Sequence, residues 1–242
     1  MTHEILQLMQ QLRFGGMRAA FEGIVSSKNA QSIDNDELLN LLLQAEWNQR
    51  ENQKAERRLQ NAHFRSQASI EEIDFVTNRG INKTQILRFA DASYVKNTEN
   101  ILVTGPTGVG KSYIATALGH VACQHGYRVN YFVTQKLFSI LRMSKADESY
   151  QKLIKRIERQ DLIILDDFGM HPLDDLARMM LLEIIQDRHQ LRSTIIVSQL
   201  PIDKWYDVIG ENTVADAILD RLVHTSHRID LTGESMRKKK KN

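Results

Sequence analysis

The stretch Ile-Leu-Val-Thr-Gly-Pro-Thr-Gly-Val-Gly-Lys-Ser, residues 101–112, limits what this 242-residue chain can fold into more than any other. An apolar run of the kind that forms a buried strand ends in a glycine-rich turn, and apolar residues at helical spacing follow. The pattern G-x-x-x-x-G-K-[ST] is complete at Gly105, Gly110, Lys111 and Ser112, in the strand-turn-helix setting where it forms a phosphate-binding loop. Gly105, Gly108 and Gly110 permit backbone conformations and a close approach that a Cβ would block, so that successive N–H groups can face phosphate oxygens. The candidate nucleotide contact is therefore the whole run Gly105, Pro106, Thr107, Gly108, Val109, Gly110, Lys111, Ser112 and Tyr113. Lys111 is suited to the β and γ phosphates and Ser112 to Mg²⁺, while the helix adds its positive N-terminal end. ATP and Mg²⁺ are the expected ligands.

A second apolar run, Leu162 to Leu165, ends in Asp166 and Asp167. In a nucleotide hydrolase the first carboxylate of such a pair sits beside the phosphate loop and holds Mg²⁺ through water and the loop hydroxyl. That role falls to Asp166. Asp167 is then placed as general base for the attacking water, with a cap of the following turn at Phe168-Gly169 as the alternative. The strand Thr194 to Val197 ends in Ser198 and Gln199, where a polar side chain can bond a γ-phosphate or its water. Strands at 101–104, 128–133, 162–167, 194–197 and 228–231 alternate with helices. This order predicts a right-handed, mostly parallel αβα sandwich of the P-loop type.

The region before the loop reads differently. Apolar residues at helical spacing run from Ile5 to Ile24, interrupted by Gly15-Gly16, which should weaken or bend the helix. A long helix starts at Asp36 and turns polar toward Arg65. Ser69 with Glu72 has capping-box spacing, and Asn78-Arg79-Gly80 is a turn signal. The expected division is a small all-α domain over 1–68, an ATPase domain over 69–236 and a basic tail over 237–242.

Net charge is +2, yet Arg237 and Lys238 to Lys241 supply five positive charges, which leaves the rest of the chain at −3. Any nucleic-acid surface outside the tail must then be a local stripe. Two stretches qualify: Arg50, Lys54, Arg57, Arg58 and Arg65 along the long helix, and Lys136, Arg142, Lys145, Lys152, Lys155, Arg156 and Arg159 further on. In each, interleaved acids leave a solvated, salt-bridged face as the alternative. The lone Cys123 excludes an internal disulfide and a multi-cysteine zinc site, and it fits a reducing compartment. No apolar stretch approaches the roughly 18 residues of a membrane span, and the N-terminus lacks a signal-peptide pattern. A cytoplasmic protein without membrane contact is expected.

The ordered set Gly105 to Ser112, Leu162 to Asp167 with Phe168-Gly169, Ser198-Gln199-Leu200-Pro201 with Lys204-Trp205, and Asp220-Arg221-Leu222 resembles the AAA+ ATPases. Within them it is similar to the IstB-type transposition helpers of bacterial insertion sequences, relatives of the DnaC helicase loaders. The resemblance implies an ATPase that assembles as a homo-oligomer on duplex DNA and recruits or stimulates a transposase of the same element. It matches Gln199, and less closely Ser198, to the sensor of the γ-phosphate. It matches Arg221 to an arginine finger acting on a neighbouring subunit's ATP, and it places Arg237 near a second sensor arginine. The superfamily usually carries Glu where this chain has the shorter Asp167, which fits slow or DNA-dependent hydrolysis. A DnaC-like loader of a replicative helicase, and an ATP-switched scaffold with negligible hydrolysis, stand as the alternatives.

Overall fold

The computed structural model describes residues 2–27, 33–77, 79–224 and 226–236. The expected basic tail and Arg237 lie outside the described residues. The chain forms two compact units, Met1–Arg57 and Arg58–Asn242.

The first unit is helical: α1 (Thr2–Gln11), α2 (Gly15–Ser26) and most of α3 (Asn35–Asn61). Gly15-Gly16 does not bend one helix but opens a separate one, after a break in which Arg13 adopts a left-handed φ of 59°. Close approach explains the second glycine. A Cβ at Gly16 would stand 2.4 Å from the Ala45 carbonyl oxygen of α3. The first amides of α2 lack helical partners, and Glu46 supplies one, accepting from Gly16 N at 2.8 Å and Met17 N at 3.2 Å. Arg50 Nε holds the other carboxylate oxygen at 2.7 Å.

The second unit continues with α4 (Lys83–Arg88), α5 (Ser93–Lys96), β1 (Asn100–Thr104), α6 (Lys111–Gln124), β2 (Val129–Val133), α7 (Thr134–Ala146) and α8 (Tyr150–Glu158). It ends with β3 (Leu162–Phe168), α9 (Asp175–Arg188), β4 (Ser193–Ser198), α10 (Trp205–Ile209), α11 (Asn212–Val223) and β5 (Ser226–Asp230). All pairings are parallel, in the order β2-β3-β4-β1-β5. Ile101, Leu102, Val103 and Leu162 to Leu165 are fully buried, as the unbroken apolar runs of a sheet covered on both faces require.

Residues 58–68 pack with this larger unit. Ala62 is fully buried and its carbonyl accepts the amide of Tyr131 on edge strand β2 at 2.8 Å. The Phe64 ring lies 4.5 Å from His120 and 6.2 Å from Tyr131 between centroids. The spacing of Ser69 and Glu72 does not produce a capping box, because residues 66–73 form no helix. The Ser69 hydroxyl turns to Glu71, and Glu72 accepts from the Tyr113 hydroxyl at 2.8 Å. Thr134 is the first residue of α7, and its hydroxyl donates to the Asp166 carbonyl at 2.8 Å.

Candidate nucleotide-binding site

Open parallel sheets bind ligands beyond the carboxyl ends of their strands. Here β1, β4 and β3 end side by side, with Thr104 paired to Ser198 and Ser198 to Phe168. A cavity of about 570 Å³ opens above them, in the usual size range of a small-molecule site. Thr107, Gly108, Gly110, Lys111, Ser112 and Tyr113 line it together with Asp167 and Gln199.

The loop that follows β1 needs its glycines. Gly105, Gly108 and Gly110 have φ of 139°, 85° and 102°. At Gly105 a Cβ would also meet the Leu231 carbonyl oxygen at 2.2 Å, because the chain after β5 passes against the loop. Leu231 N bonds Thr104 O at 2.8 Å and Met236 N bonds Gly108 O at 2.9 Å. Lys111 opens α6, is largely buried, and donates from Nζ to the Pro106 carbonyl at 2.8 Å, which draws the loop around its ammonium.

Asp166 is 1% exposed, and both of its oxygens are engaged. Oδ1 receives the Ser112 hydroxyl at 3.1 Å and the amide of Asp167 at 2.9 Å, and Oδ2 receives the Tyr131 hydroxyl. Burial, and then the carboxylate beside it, push the Tyr131 phenol upward in pKa, so it remains a donor. A hydroxyl and a carboxylate at this distance fit Mg²⁺ held partly through water. Among the described residues no group of three or more His, Cys, Asp or Glu could hold a metal ion by itself.

Asp167 departs from the strand. The β3–β4 register shifts between Leu165 and Phe168, and Asp167 takes a left-handed φ of 58°. The bulge turns its side chain out of the sheet to line the cavity. Gln199, just past β4, accepts from the Thr107 hydroxyl at 2.6 Å. Ser198 does not face the cavity: it is fully buried and donates to the Phe168 carbonyl at 2.8 Å.

Arg221 lies elsewhere. Its guanidinium donates to the Ala217 carbonyl at 2.7 Å, and its own carbonyl faces Asn100, the first residue of β1, at the end of that strand away from the loop. Among the expected polyanion contacts, Arg50 pairs with Glu46, Lys54 with Glu51 at 2.8 Å and Arg142 with Asp174 at 2.7 Å. Lys145 lies 4.8 Å from the Tyr150 ring centroid, and Arg58 donates to the Cys123 carbonyl near the end of α6. Arg57 and Lys136 are exposed. Lys152, Lys155 and Arg156 join Arg128 and Arg159 along a groove of about 610 Å³, with no carboxylate among the described residues that line it.

Sequence reasoning missed Arg79. It is 5% exposed, and its guanidinium donates to the Val109 carbonyl of the phosphate loop at 2.7 Å and to the Asp74 carbonyl. Its own carbonyl accepts from Thr232 N at 2.9 Å, so one residue ties together the segment before the domain core, the loop and the chain after β5. An Asn-Arg-Gly turn signal carries no sign of such burial.

The strand order, the phosphate loop and the carboxylate beside its serine define a P-loop nucleotide-binding protein of the AAA+ fold. More narrowly, the chain belongs to the family of IstB-like ATP binding proteins, whose model matches residues 7–242. It is 41% identical over 238 residues to a Sinorhizobium fredii protein named as an insertion sequence ATP-binding protein, covering 98% of this chain and 97% of that one. Two solved structures share the fold. The DnaC helicase loader has a TM-score of 0.55 at 22% identity, over 72% of this chain and 98% of that chain. The replication initiator DnaA bound to AMPPCP and single-stranded DNA has 0.60 at 17% identity, over 71% and 52%.

Proposed function

We propose that this chain is an ATP-dependent, duplex-DNA-binding transposition helper whose subunits assemble with ATP between them and recruit or stimulate the transposase of the same insertion sequence. The observation that carries this reading is the placement of Arg221 away from its own subunit's nucleotide cavity, in a chain whose relatives are insertion sequence ATP-binding proteins. An arginine there serves ATP only across a subunit boundary. Assembly and nucleotide state are then one equilibrium.

ATP supplies the phosphoryl group; Ser112 and Asp166 would hold Mg²⁺, which would supply neutralisation of the charge that develops on it. The loop amides from Gly108 to Ser112 and the Lys111 ammonium face the phosphates, with Lys111 leaving the Pro106 carbonyl. Gln199 positions the γ-phosphate or the attacking water. Asp167 takes a proton from that water as its oxygen bonds to the γ-phosphorus, and the bond to the ADP oxygen breaks with its electron pair leaving on ADP. Hydrolysis removes the γ-phosphate that holds neighbouring subunits, which resets the assembly. The Arg128–Arg159 groove and the basic part of α3 bind the DNA backbone, sequence-tolerantly. A reducing, cytoplasmic setting accords with the buried free Cys123, and no helix among the described residues is long and apolar enough to cross a membrane.

The test is binding to random-sequence duplex DNA, titrated with salt, with and without a non-hydrolysable ATP analogue. Affinity should rise with the analogue and fall steeply with salt, by roughly 0.9 in log K per log salt for each phosphate neutralised. Affinity indifferent to both salt and nucleotide would sink the reading.

A further inference from the structure

Asp167 has an ion-pair partner that no motif spacing connects to it. The Arg65 Nη1 stands 3.6 Å from Asp167 Oδ2. The segment that carries Arg65 is fixed in place: the Ala62 carbonyl is bonded to edge strand β2, and Phe64 is wedged between His120 and Tyr131. Ser66, the next residue, lines the nucleotide cavity. Arg65 is thus delivered to the mouth of the cavity by a docked backbone. The Arg65 and Asp167 side chains are 59% and 38% exposed, so the pair is solvated, screened and weak.

Two consequences follow from ordinary electrostatics. A carboxylate held by a guanidinium is drawn off the line it must take to reach water. A guanidinium with this exposure is also open to a stronger competitor, and a phosphodiester is one, since arginine binds phosphate through two parallel donors.

We propose that Arg65 is a positioning residue for Asp167: it holds the carboxylate away from the attacking water until a backbone phosphate of duplex DNA takes the guanidinium. Occupancy of the DNA surface is thereby reported to the ATP site within one subunit, across a single side chain. The inference rests on the reading of Asp167 as base and of duplex DNA as partner.

The experiment is single-turnover ATP hydrolysis by the full chain, with and without random duplex DNA, for the wild type, Arg65→Gln and Arg65→Lys. Arg65→Gln is expected to raise the DNA-free rate about fivefold, as release of an exposed ion pair allows. Its stimulation by DNA should shrink by the same factor, while ATP affinity and thermal midpoint stay at wild-type values. Arg65→Lys should keep the DNA-free rate low. Equal loss of rate with and without DNA in Arg65→Gln would instead mean that the guanidinium acts on the phosphoryl group, and an unchanged DNA-free rate would mean that the ion pair restrains nothing; either result overturns the proposal. Asp167→Asn separates the two levels. If it abolishes hydrolysis while Arg65→Gln leaves the DNA-free rate unchanged, the proposed function stands and only the coupling fails; if it hydrolyses ATP normally, the assignment of the base fails first.

Discussion

The hydroxyl of Ser112, the last residue of the phosphate-loop motif, lies 3.1 Å from an oxygen of Asp166, the first carboxylate of β3. The two residues are 54 positions apart, and the parallel sheet alone brings them together. Their proximity predicts a metal-specific defect. Ser112→Ala should weaken nucleotide binding by about tenfold or more with Mg²⁺ present and leave binding in EDTA close to wild type. Titration with a fluorescent ATP analogue in the two buffers reads the difference. A loss of equal size in both would place Ser112 on the phosphates rather than on the metal.

Asp167 predicts an unusual response to the residue that its superfamily prefers. Its left-handed φ of 58° is tolerated by Asp better than by longer side chains, and the bulge brings the short carboxylate forward to the cavity. Asp167→Glu should therefore lower hydrolysis rather than raise it, and should cost about 1 kcal/mol of stability. Asp167→Asn keeps the backbone preference, so its midpoint should stay within a degree or two while single-turnover hydrolysis falls by about 10²-fold or more. A faster Asp167→Glu enzyme would show that side-chain reach limits the wild type.

The parallel sandwich and the loop were legible because each rests on a local pattern: unbroken apolar runs, glycines where φ is positive, and a lysine-serine pair at the helix start. Gln199 could also be read, since it follows a strand by one residue. Arg79 and Tyr131 could not, and Arg65 could be read as part of a basic face but not as the neighbour of Asp167. Each meets a partner 30 or more residues away, Val109, Asp166 and Asp167 respectively, and no spacing encodes that distance. The Ser69–Glu72 spacing misleads for the complementary reason. A capping box needs a helix to cap, and the chain there is occupied in lining the cavity instead.

In the helical unit, the clearest prediction concerns pH. Burial alone would raise the Glu46 carboxyl, but Arg50 and the amides of Met17 and Gly16 hold it below its ordinary value of 4.5. A depressed folded-state value means that the stabilisation is complete above the ordinary value and is lost as the pH falls through the folded one. The N-terminal unit should melt at lower temperature below about pH 4.5, by linkage. Glu46→Gln should lower the midpoint at pH 7 and flatten this acid limb, as seen by circular dichroism between pH 3 and 7. An acid limb unchanged in Glu46→Gln would move its cause to another carboxylate.

Arg221 carries the sharpest test of assembly, because its position and that of Lys111 make opposite demands on a subunit. On the proposed reading, a Lys111→Ala subunit cannot grip its own ATP but still presents Arg221 to a neighbour. An Arg221→Ala subunit binds ATP but offers its neighbour no finger. Each variant alone should lose at least about 10³-fold of its hydrolysis, the usual worth of an arginine finger. In a mixture, an Arg221→Ala subunit flanked by a Lys111→Ala subunit regains an intact composite site. Hydrolysis should then reappear with a maximum near equal proportions and vanish at either extreme. If Arg221 served its own subunit, no mixing ratio could pair an intact loop with an intact finger, and activity would stay at the level of the separate variants throughout.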